Sequence, residues 1–577
     1  MEQQRQDFVV RFAGEGGQGV VTAAEMLAQA ASQVGYYVQT FATFPSQILG
    51  GPTWTQARVS TSRKFSTGDV LDILVAFNEE AYDSHHADVR SDGIILYDSE
   101  HFTPPLDERT IGIPFDELGK KTGNPRAANM VVLGALTKLV NWDTRFIEQF
   151  IVKRFTRRRP DDEAIIKSNI VAVHFGRSAL GEATPSLGQL ASPQKPEGAQ
   201  ILVKGNEALA LGALAAGLDF YVGYPISPAT PILQFMQRNL IGPDKNAYQS
   251  SSEIESINAA LGAGYAGCKA MTATAGPGFS LMVEGLGLAW MTEIPLVVVD
   301  VQRAGPATGL PTKTEQSDLY IALHPAHGDV NPPVIAPGSV EECFYAAIKA
   351  MNWAERYQGP VILLSEAALA EKSENIPKPN LSAVKPERRL IYTGDGNDAQ
   401  GYHRYREPRL QPMPIPGGPG AYVANGSEHD EFGDTTHRPH HHKRLTERRF
   451  SKLKLLESDN YERLNAEHAI AVVPWGGSKG PTWEAYQKLT QARVPLAWYY
   501  TMELNPLPPK MVEELRAKQR VLVPELNYQG QFAAYLRSLG IKAEAITQYT
   551  GLPFGVTDLT QRITETLNVP QKMQARV

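Results

Sequence analysis

The chain has 577 residues, of which 42% are hydrophobic and 20% charged, and its formal net charge is -6. This length and composition predict a soluble protein of several domains, and the acidic balance argues against binding to nucleic acid. The two cysteines, Cys268 and Cys343, exclude a disulfide framework and are too few for an iron–sulfur cluster, which usually takes four thiolates.

The N-terminal residues lack the apolar region of a signal peptide. No apolar run reaches the roughly 18 residues that a membrane-spanning helix needs. We therefore expect a cytoplasmic protein that does not enter a membrane.

The first predicted elements are a strand at 8–13, a glycine-rich turn at 14–19 and an amphipathic helix at 20–34. Their order matches the G-x-G-x-x-G pattern of dinucleotide-binding folds. The ribose-binding acid expected about 20 residues further on is absent, because 36–44 contains no Asp or Glu. The turn can instead hold another phosphate or permit close packing.

A linker is predicted at 182–199, which is rich in Pro, Gly and Ser. Beyond it, a strand at 220–223 leads into a Pro-flanked turn at 224–228, and a second turn at 251–255 opens a helix of small residues. Open α/β sheets bind ligands at the carboxyl ends of their strands, where both turns are expected.

Two glutamates of the second turn have different expected roles. If Ser252 is the N-cap, Glu255 lies at the third helical position and closes an S-x-x-E capping box. Glu253 then lies at the first helical position, where the helix dipole keeps a carboxylate ionised and able to accept a proton or a strong hydrogen bond. The alternative is an ordinary first-turn acid.

Arg303 lies just beyond a buried strand predicted at 296–301. A loop rich in Gly, Pro and hydroxyl groups follows, and it includes Thr312. An arginine in this setting is suited to bind a small carboxylate, although a solvated loop arginine has the same local sequence.

Residues 377–445 are predicted to form a long loop. The histidines at 437 and 440–442 have no carboxylate or cysteine that completes a metal site, so no metal is predicted in this chain. Alternating strands and helices return from residue 469, with strands at 469–474, 494–500 and 520–524. Glu525 and Asn527 follow the last strand, and we expect an interface role for them rather than a catalytic one.

Together, the segments at 224–228, 251–255, 276–278 and 303–316 resemble the alpha subunits of the 2-oxoacid:ferredoxin oxidoreductases, densely from about 205 to 319. The glycine turn at 14–19 and the glycines at 50 and 51 resemble the gamma domain of the same family, over 6–181. The resemblance implies an α/β fold with several doubly wound domains. These are a gamma domain (1–181), the linker (182–199), a thiamine diphosphate pyrimidine-binding domain (200–375), a long arm (376–455) and a transketolase C-terminal-like domain II (456–577).

The resemblance also implies roles for single residues. Glu253 would bond the pyrimidine ring nitrogen of thiamine diphosphate and act catalytically. Ser227 stands where the family usually has threonine and keeps the hydroxyl group. The residues implied to bind cofactor are Tyr224, Pro225, Ile226 and Glu253; those implied to bind substrate are Ser227, Arg303 and Thr312; those implied to lie near coenzyme A are Gly50 and Gly51.

The implied reaction converts a 2-oxo acid and coenzyme A to acyl-coenzyme A and carbon dioxide, with reduction of ferredoxin. The fusion of gamma and alpha parts favours 2-oxoglutarate; pyruvate and branched-chain 2-oxo acids stay open. A beta subunit is expected to supply the diphosphate site, Mg²⁺ and a [4Fe-4S] cluster in an (αβ)₂ assembly. The alternatives are a thiamine enzyme without ferredoxin, which the absent diphosphate motif disfavours, and a nucleotide-binding regulatory protein.

Overall fold

The computed structural model describes residues 4–45, 51–105, 107–124, 126–182, 184, 186–194, 196, 198–394, 401–406 and 409–568. The chain divides into two compact units. The first contains residues 1–203, 372–378 and 555–557, and the second contains the remainder. No helix in these described ranges is both long enough and apolar enough to cross a membrane.

A mixed sheet forms the centre of the first unit. Its strands, in spatial order, are Thr110–Ile113, Val89–Asp98, Leu71–Ala76, Asp7–Glu15, Pro52–Ser60, Tyr37–Thr43, Ser373–Pro377 and Gln200–Lys204. The first four run parallel, whereas Asp7–Glu15, Pro52–Ser60 and Tyr37–Thr43 pair antiparallel. A short connection joins Tyr37–Thr43 to Pro52–Ser60, which antiparallel neighbours permit and parallel neighbours do not. The sheet is thus parallel on one side of Asp7–Glu15 and antiparallel on the other.

Helices pack on this sheet. Their bounds are Val20–Val34, Glu79–His85, Phe115–Lys121, Ala128–Leu139, Arg145–Phe155 and Asp162–Ala179. The first has the bounds that the sequence predicts, because Gly19 and Gly35 flank it in the left-handed region, at φ 84° and 103°. The segment 182–199 contributes the strand Gln189–Leu190, which pairs with Gln4–Arg5.

The second unit contains a sheet in the order Asn246–Gln249, Phe220–Gly223, Ala270–Thr274, Leu296–Gln302, Pro360–Glu366, Val334–Ile335 and Glu503–Asn505. All but the last strand run parallel, so their carboxyl ends meet at one edge. The helices between them are Gly205–Ala215, Thr230–Asn239, Glu253–Tyr265, Gly276–Thr292, Leu319–Leu323, Val340–Tyr357 and Ala367–Glu371.

A further sheet of this unit has the order Glu462–Leu464, Ala497–Tyr500, Ile470–Val472, Arg520–Glu525 and Ala543–Thr547. Its helices are Lys479–Gln491, Pro509–Arg516, Gln531–Ser538 and Val556–Thr566. One hydrophobic cluster joins the two sheets, with Val298 and Leu364 from the first and Ala471 and Val521 from the second. The domain boundaries expected at residues 199, 375 and 455 remain predictions.

The predicted long loop at 377–445 needs a correction, because the helix Pro439–Ser451 begins within it. This helix packs through Leu445, which is completely buried, and is also attached through charges. The buried carboxylate of Glu293 accepts hydrogen bonds from Arg448 Nε at 2.9 Å and from Lys452 Nζ at 3.0 Å. Burial alone would raise the pKa of Glu293, but Lys452 and Arg448 outweigh it and hold that pKa well below its usual range.

Candidate active site

The turns at the carboxyl ends of the parallel strands bring most of the predicted site residues together. Ser250 N donates to Gly223 O at 3.1 Å, which holds the start of the 251–255 turn against the start of the 224–228 turn. Arg303 follows the strand Leu296–Gln302, and its Nη1 donates to Ser227 O at 2.8 Å. The two turns and the arginine therefore form one site at this edge of the sheet.

Glu253 is the first residue of the helix Glu253–Tyr265, as predicted, and only 6% of its surface is exposed. No group in the described part of the chain donates a hydrogen bond to its carboxylate. A buried carboxylate without a protein donor is costly unless a ligand supplies one. The site therefore offers a carboxyl acceptor to an N–H group of a bound molecule.

Glu255 differs from Glu253 in its contacts. Ser252 is the N-cap, and its hydroxyl accepts from Glu255 N at 3.1 Å, as the sequence predicts. The carboxylate of Glu255 accepts from Ser251 N at 2.7 Å and from Ser251 Oγ at 2.6 Å, one residue before the contact of a standard capping box. Glu255 is thus committed to the protein itself.

The start of the helix Gly276–Thr292 passes very close to Glu253. A Cβ at Gly278 would overlap Thr274 Oγ1 and would lie 2.6 Å from Glu253 Oε1. A Cβ at Gly276 would lie 2.7 Å from Oδ2 of Asp318. Only glycine permits these close approaches, because a side chain at either position would collide with its neighbour. The sequence pattern alone does not show which residues the two glycines contact.

The 224–228 turn presents its side chains to different degrees. Tyr224 is 38% exposed, Pro225 and Ile226 are half-buried, and Ser227 is exposed. Asn206 Nδ2 donates to Pro228 O at 2.9 Å and anchors the far end of the turn. The hydroxyl group of Ser227 is therefore displayed on a backbone fixed from both sides, by Arg303 and by Asn206.

The loop that follows Arg303 folds back on Ala304, the residue next to the arginine. Ala304 N donates to Lys313 O at 3.0 Å, and Leu310 N donates to Ala304 O at 2.9 Å. Thr312, which is half-buried, is thereby held beside the start of the loop. Burial lowers the pKa of Arg303, and the charge of Asp318 opposes that effect.

Two acidic residues next to Arg303 received no role from the sequence. Asp300, in the strand Leu296–Gln302, is completely buried, and neither of its carboxyl oxygens has a hydrogen-bond partner among the described residues. Burial, together with the charge of Asp318, raises the pKa of Asp300. Asp318 N donates to Gln302 Oε1 at 3.1 Å. An aspartate inside an otherwise apolar strand is a sequence signal for a buried functional acid. Asp318, whose charge acts on Asp300, lies 18 residues further along the chain.

Glu525 and Asn527 are structural. Glu525 is buried and accepts from Phe532 N at 2.9 Å and from Ala533 N at 3.1 Å, at the start of the helix Gln531–Ser538. Asn527 Oδ1 accepts from Gly530 N at 2.7 Å. Both side chains thus satisfy the unpaired N–H groups of a helix N-terminus. This corrects the expected interface role.

The glycine turn of the first unit borders a cavity of about 980 Å³. Gly17 and Gly19 adopt φ values of 102° and 84°, and Gly16 N donates to Gly51 O at 3.3 Å. Gly51 therefore lies beside the turn, whereas Gly50 falls outside the described residues. The cavity is also lined by Asn129 and Arg126.

Three residues of the same cavity have the geometry of a metal-ligand set. Nε2 of His101 lies 3.6 Å from Asp98 Oδ2 and 3.8 Å from Asp116 Oδ2. Burial raises the pKa of Asp98, and its Oδ1 accepts from Glu100 N at 3.2 Å. Such a group also occurs without a metal, so it carries no assignment.

Two family models match the chain. One, described as pyruvate flavodoxin/ferredoxin oxidoreductase, thiamine diphosphate-binding, covers residues 211–447. The other, described as pyruvate ferredoxin/flavodoxin oxidoreductase, covers residues 9–179. The first match contains the complete site at the edge of the parallel sheet, and the second contains the glycine turn.

Individual relatives match over almost the whole chain. A 2-oxoglutarate oxidoreductase subunit KorA from Mycobacterium tuberculosis is 33% identical over 96% of this chain and 90% of its own length. A 2-oxoacid:ferredoxin oxidoreductase subunit alpha from Aeropyrum pernix is 31% identical over 97% and 98%. The solved structure of a 2-oxoglutarate:ferredoxin oxidoreductase from Magnetococcus marinus, with 2-oxoglutarate, coenzyme A and succinyl-CoA bound, is 34% identical, with a TM-score of 0.90 over 97% of this chain and 100% of that one.

Proposed function

Because this chain belongs to the 2-oxoacid:ferredoxin oxidoreductase family, we propose that its substrate is 2-oxoglutarate, which the enzyme converts with coenzyme A to succinyl-CoA and carbon dioxide while ferredoxin is reduced. The names of the KorA relative and the Magnetococcus structure support this substrate. The chain is an alpha subunit with a thiamine diphosphate-binding domain and an N-terminal gamma part.

One observation carries the proposal: the carboxylate of Glu253 is buried at the first position of a helix and has no donor among the described residues. This acceptor fits the pyrimidine ring nitrogen of thiamine diphosphate, and Gly278 leaves room for the carboxylate. When bound, the cofactor supplies the carbanion that attacks the 2-oxo carbon and an electron sink. Glu253 would hold the proton that sets the tautomer of the pyrimidine. Tyr224, Pro225 and Ile226 would line the cofactor.

The substrate carboxylate would lie at Arg303. Its guanidinium group is nearly buried and is fixed by its hydrogen bond to Ser227 O, so one edge remains available for an anion. An arginine offers paired N–H groups to a carboxylate, which adds orientation to affinity. The hydroxyl groups of Ser227 and Thr312 would complete the carboxylate site.

The remaining components belong to partners. We place the diphosphate site, Mg²⁺ and a [4Fe-4S] cluster on a beta subunit, in an (αβ)₂ assembly, since Cys268 and Cys343 cannot supply four thiolates. We place coenzyme A near Gly50 and Gly51. The packing of Gly51 against the glycine turn supports that location, because backbone can approach a phosphate closely there.

The test begins with anaerobic purification of the native complex from its source. We expect a cysteine-rich partner chain, the broad visible absorbance of iron–sulfur clusters, and viologen reduction that requires both coenzyme A and 2-oxoglutarate. Faster reduction with pyruvate or branched-chain 2-oxo acids would overturn the substrate. A colourless chain without a partner, in which the first unit binds NAD or ATP tightly, would favour a nucleotide-binding regulator.

A further inference from the structure

Two hydrogen bonds from one short segment hold the residues on either side of Arg303. On one side, Ala304 N donates to Lys313 O at 3.0 Å. On the other side, Asp318 N donates to Oε1 of the buried Gln302 at 3.1 Å. The position of Arg303 therefore depends on where this segment lies.

Gln316 fixes the middle of that segment, 313–318, and is completely buried. Its side-chain Nε2 donates to Trp475 O at 2.8 Å, and its Oε1 accepts from Leu526 N at 2.9 Å. Its backbone N donates to Leu526 O at 2.7 Å, and its backbone O accepts from Nδ2 of Asn527 at 3.0 Å. Both backbone groups and both side-chain polar atoms of Gln316 are therefore bound.

The partners of Gln316 belong to a different sheet from Arg303. Trp475 lies just beyond the strand Ile470–Val472, and Leu526 directly follows the strand Arg520–Glu525; we call the sheet of these two strands the C-terminal sheet. Buried backbone N–H and C=O groups need hydrogen-bond partners, and Gln316 supplies them at this sheet. The C-terminal sheet thus fixes the segment on which the placement of the arginine depends.

Two weaker attachments hold the same stretch of chain. Thr314 N donates to Gly551 O at 3.1 Å. The buried side chain of Gln531 donates from Nε2 to Ser317 O at 2.8 Å, and its Oε1 accepts from Tyr320 N at 3.2 Å. The segment is therefore held along its length, with Gln316 as its most strongly bound residue.

We propose that Gln316 is a positioning residue for substrate binding, which transmits the position of the C-terminal sheet to Arg303 and so fixes the carboxylate site for the 2-oxo acid. Gln316 acts through the backbone of the segment 313–318 rather than by contact with the substrate. This inference rests on the proposed function, because it requires a 2-oxo acid bound at Arg303. Nothing in the family resemblance or in the comparisons assigns this role to Gln316.

The consequence for binding follows from the geometry of an arginine. Paired N–H groups bind a carboxylate well only when the two planes are aligned, so a small displacement of the guanidinium group weakens binding. One N–H group of Arg303 is already committed to Ser227 O, which leaves one edge for the substrate. Coenzyme A is proposed to bind near Gly51, so its affinity should not depend on Gln316.

The kinetic test uses the native complex and the substitution Gln316→Met, which keeps a similar length and removes both side-chain hydrogen bonds. We expect KM for the 2-oxo acid to rise about tenfold, with kcat and KM for coenzyme A within about twofold of the wild type, since a loss of uniform binding raises KM alone. The thermal midpoint should also fall, because Trp475 O and Leu526 N lose their partners.

Leu489→Ala is the control for general loosening of the C-terminal sheet. Leu489 is completely buried in the helix Lys479–Gln491, so its truncation also lowers the thermal midpoint. Its apolar side chain makes no hydrogen bond with the segment 313–318, and KM for the 2-oxo acid should stay at the wild-type value. An equal rise of this KM in Leu489→Ala and Gln316→Met would show a merely structural role and overturn the proposal.

Gln531→Met keeps the test decisive if Gln316→Met does not fold. It removes only the contacts with Ser317 and Tyr320, so KM for the 2-oxo acid should rise less, about threefold. Binding without turnover gives a second readout: the 2-oxo acid should raise the thermal midpoint of the wild-type complex more than that of either variant. An unchanged KM in every variant that folds would overturn the proposal. A wild-type complex without 2-oxo acid-dependent reduction would instead overturn the proposed function.

Discussion

Glu253 and Glu255 lie in the first turn of one helix, yet their carboxylates have different partners. The carboxylate of Glu255 is bound by Ser251, whereas that of Glu253 is buried beside Gly278 without a donor from the described protein. We expect Glu253→Gln to lower kcat by about 10- to 100-fold, because a charge-assisted hydrogen bond to the cofactor contributes roughly 1.5–3 kcal/mol. Viologen reduction by the assembled complex measures this loss.

Glu255→Gln is the matched control for this prediction. The substitution weakens a contact within the helix N-terminus, so it should leave kcat close to that of the wild type. The two variants should copurify with the partner chain to the same extent. Equal activity of Glu253→Gln and Glu255→Gln would remove Glu253 from the mechanism.

Single residues of the site differ in how far the sequence predicts them. Glu253 and Arg303 could be predicted because each follows a local pattern, a helix start in one case and a strand end in the other. Asp300 received no role, although an acid inside an apolar strand is a local signal, because its raised pKa depends on burial and on the charge of Asp318, 18 residues further along the chain. Burial is a property of the tertiary structure, and no local spacing encodes it.

The start of the helix Gly276–Thr292 is the element on which the site depends most directly. We expect Gly278→Ala to displace Glu253, since the added Cβ would overlap Thr274 Oγ1 and would lie 2.6 Å from Glu253 Oε1. Its kcat should approach that of Glu253→Gln, with a lower thermal midpoint caused by the overlap.

Gly262→Ala is the matched control, because a Cβ at Gly262 meets no atom within 4 Å. Gly262 lies within the helix Glu253–Tyr265, where alanine is favoured over glycine by about 0.5–1 kcal/mol. This variant should keep the wild-type kcat and raise the thermal midpoint. A Gly278→Ala enzyme with full activity would show that the carboxylate of Glu253 has freedom that the packing does not indicate.

The helix Pro439–Ser451 illustrates an element that the sequence conceals. Its apolar side chains in contact are few, Leu445 and Phe450, and Arg448 lies buried against Glu293. We expect Glu293→Gln to destabilise the protein by about 3–5 kcal/mol, since removal of one partner leaves buried cations without their counter-charge. Thermal unfolding near neutral pH measures the loss. The exposed Glu284→Gln, on the helix Gly276–Thr292 that ends one residue before Glu293, should cost less than about 0.5 kcal/mol.

At the scale of the whole molecule, sequence distance limits what could be predicted. The strand Ser373–Pro377 joins the sheet of the first unit, where Glu374 pairs with Gln39, more than 300 residues earlier in the chain. The sequence predicts no strand at these residues, because a strand that pairs with a partner so distant in the chain leaves no local signal of that pairing. The alternation of strands and helices in the second unit was predictable, because each parallel strand needs a helical crossover and the hydrophobic patterns repeat in that order.

The stability of the whole chain should depend on pH through two buried glutamates with opposite shifts. Glu293 has a lowered pKa, so the native state gains stability from it above about pH 4.5, the pKa of an unperturbed glutamate, and loses that stability as the pH falls.

Burial raises the pKa of Glu366 to about 7, although Gly477 N–H and Gln316 oppose this effect. The native state binds this proton more tightly than the unfolded chain, so stability declines as the pH rises from about 4.5 to 7. Considered alone, the contributions of these two glutamates are together most favourable near pH 5.

Glu366→Gln separates these contributions, because glutamine is neutral at every pH. A pKa that rises from 4.5 to about 7 corresponds to a loss of about 3 kcal/mol once Glu366 is ionised. We therefore expect the thermal midpoints of variant and wild type to be similar at pH 5 and that of the variant to be higher at pH 8. Glu293 is intact in both proteins, so both curves should still fall below pH 4.5. A constant difference between the curves from pH 5 to pH 8 would show that Glu366 is ionised in the native state throughout, with a counter-charge supplied by a group outside this chain.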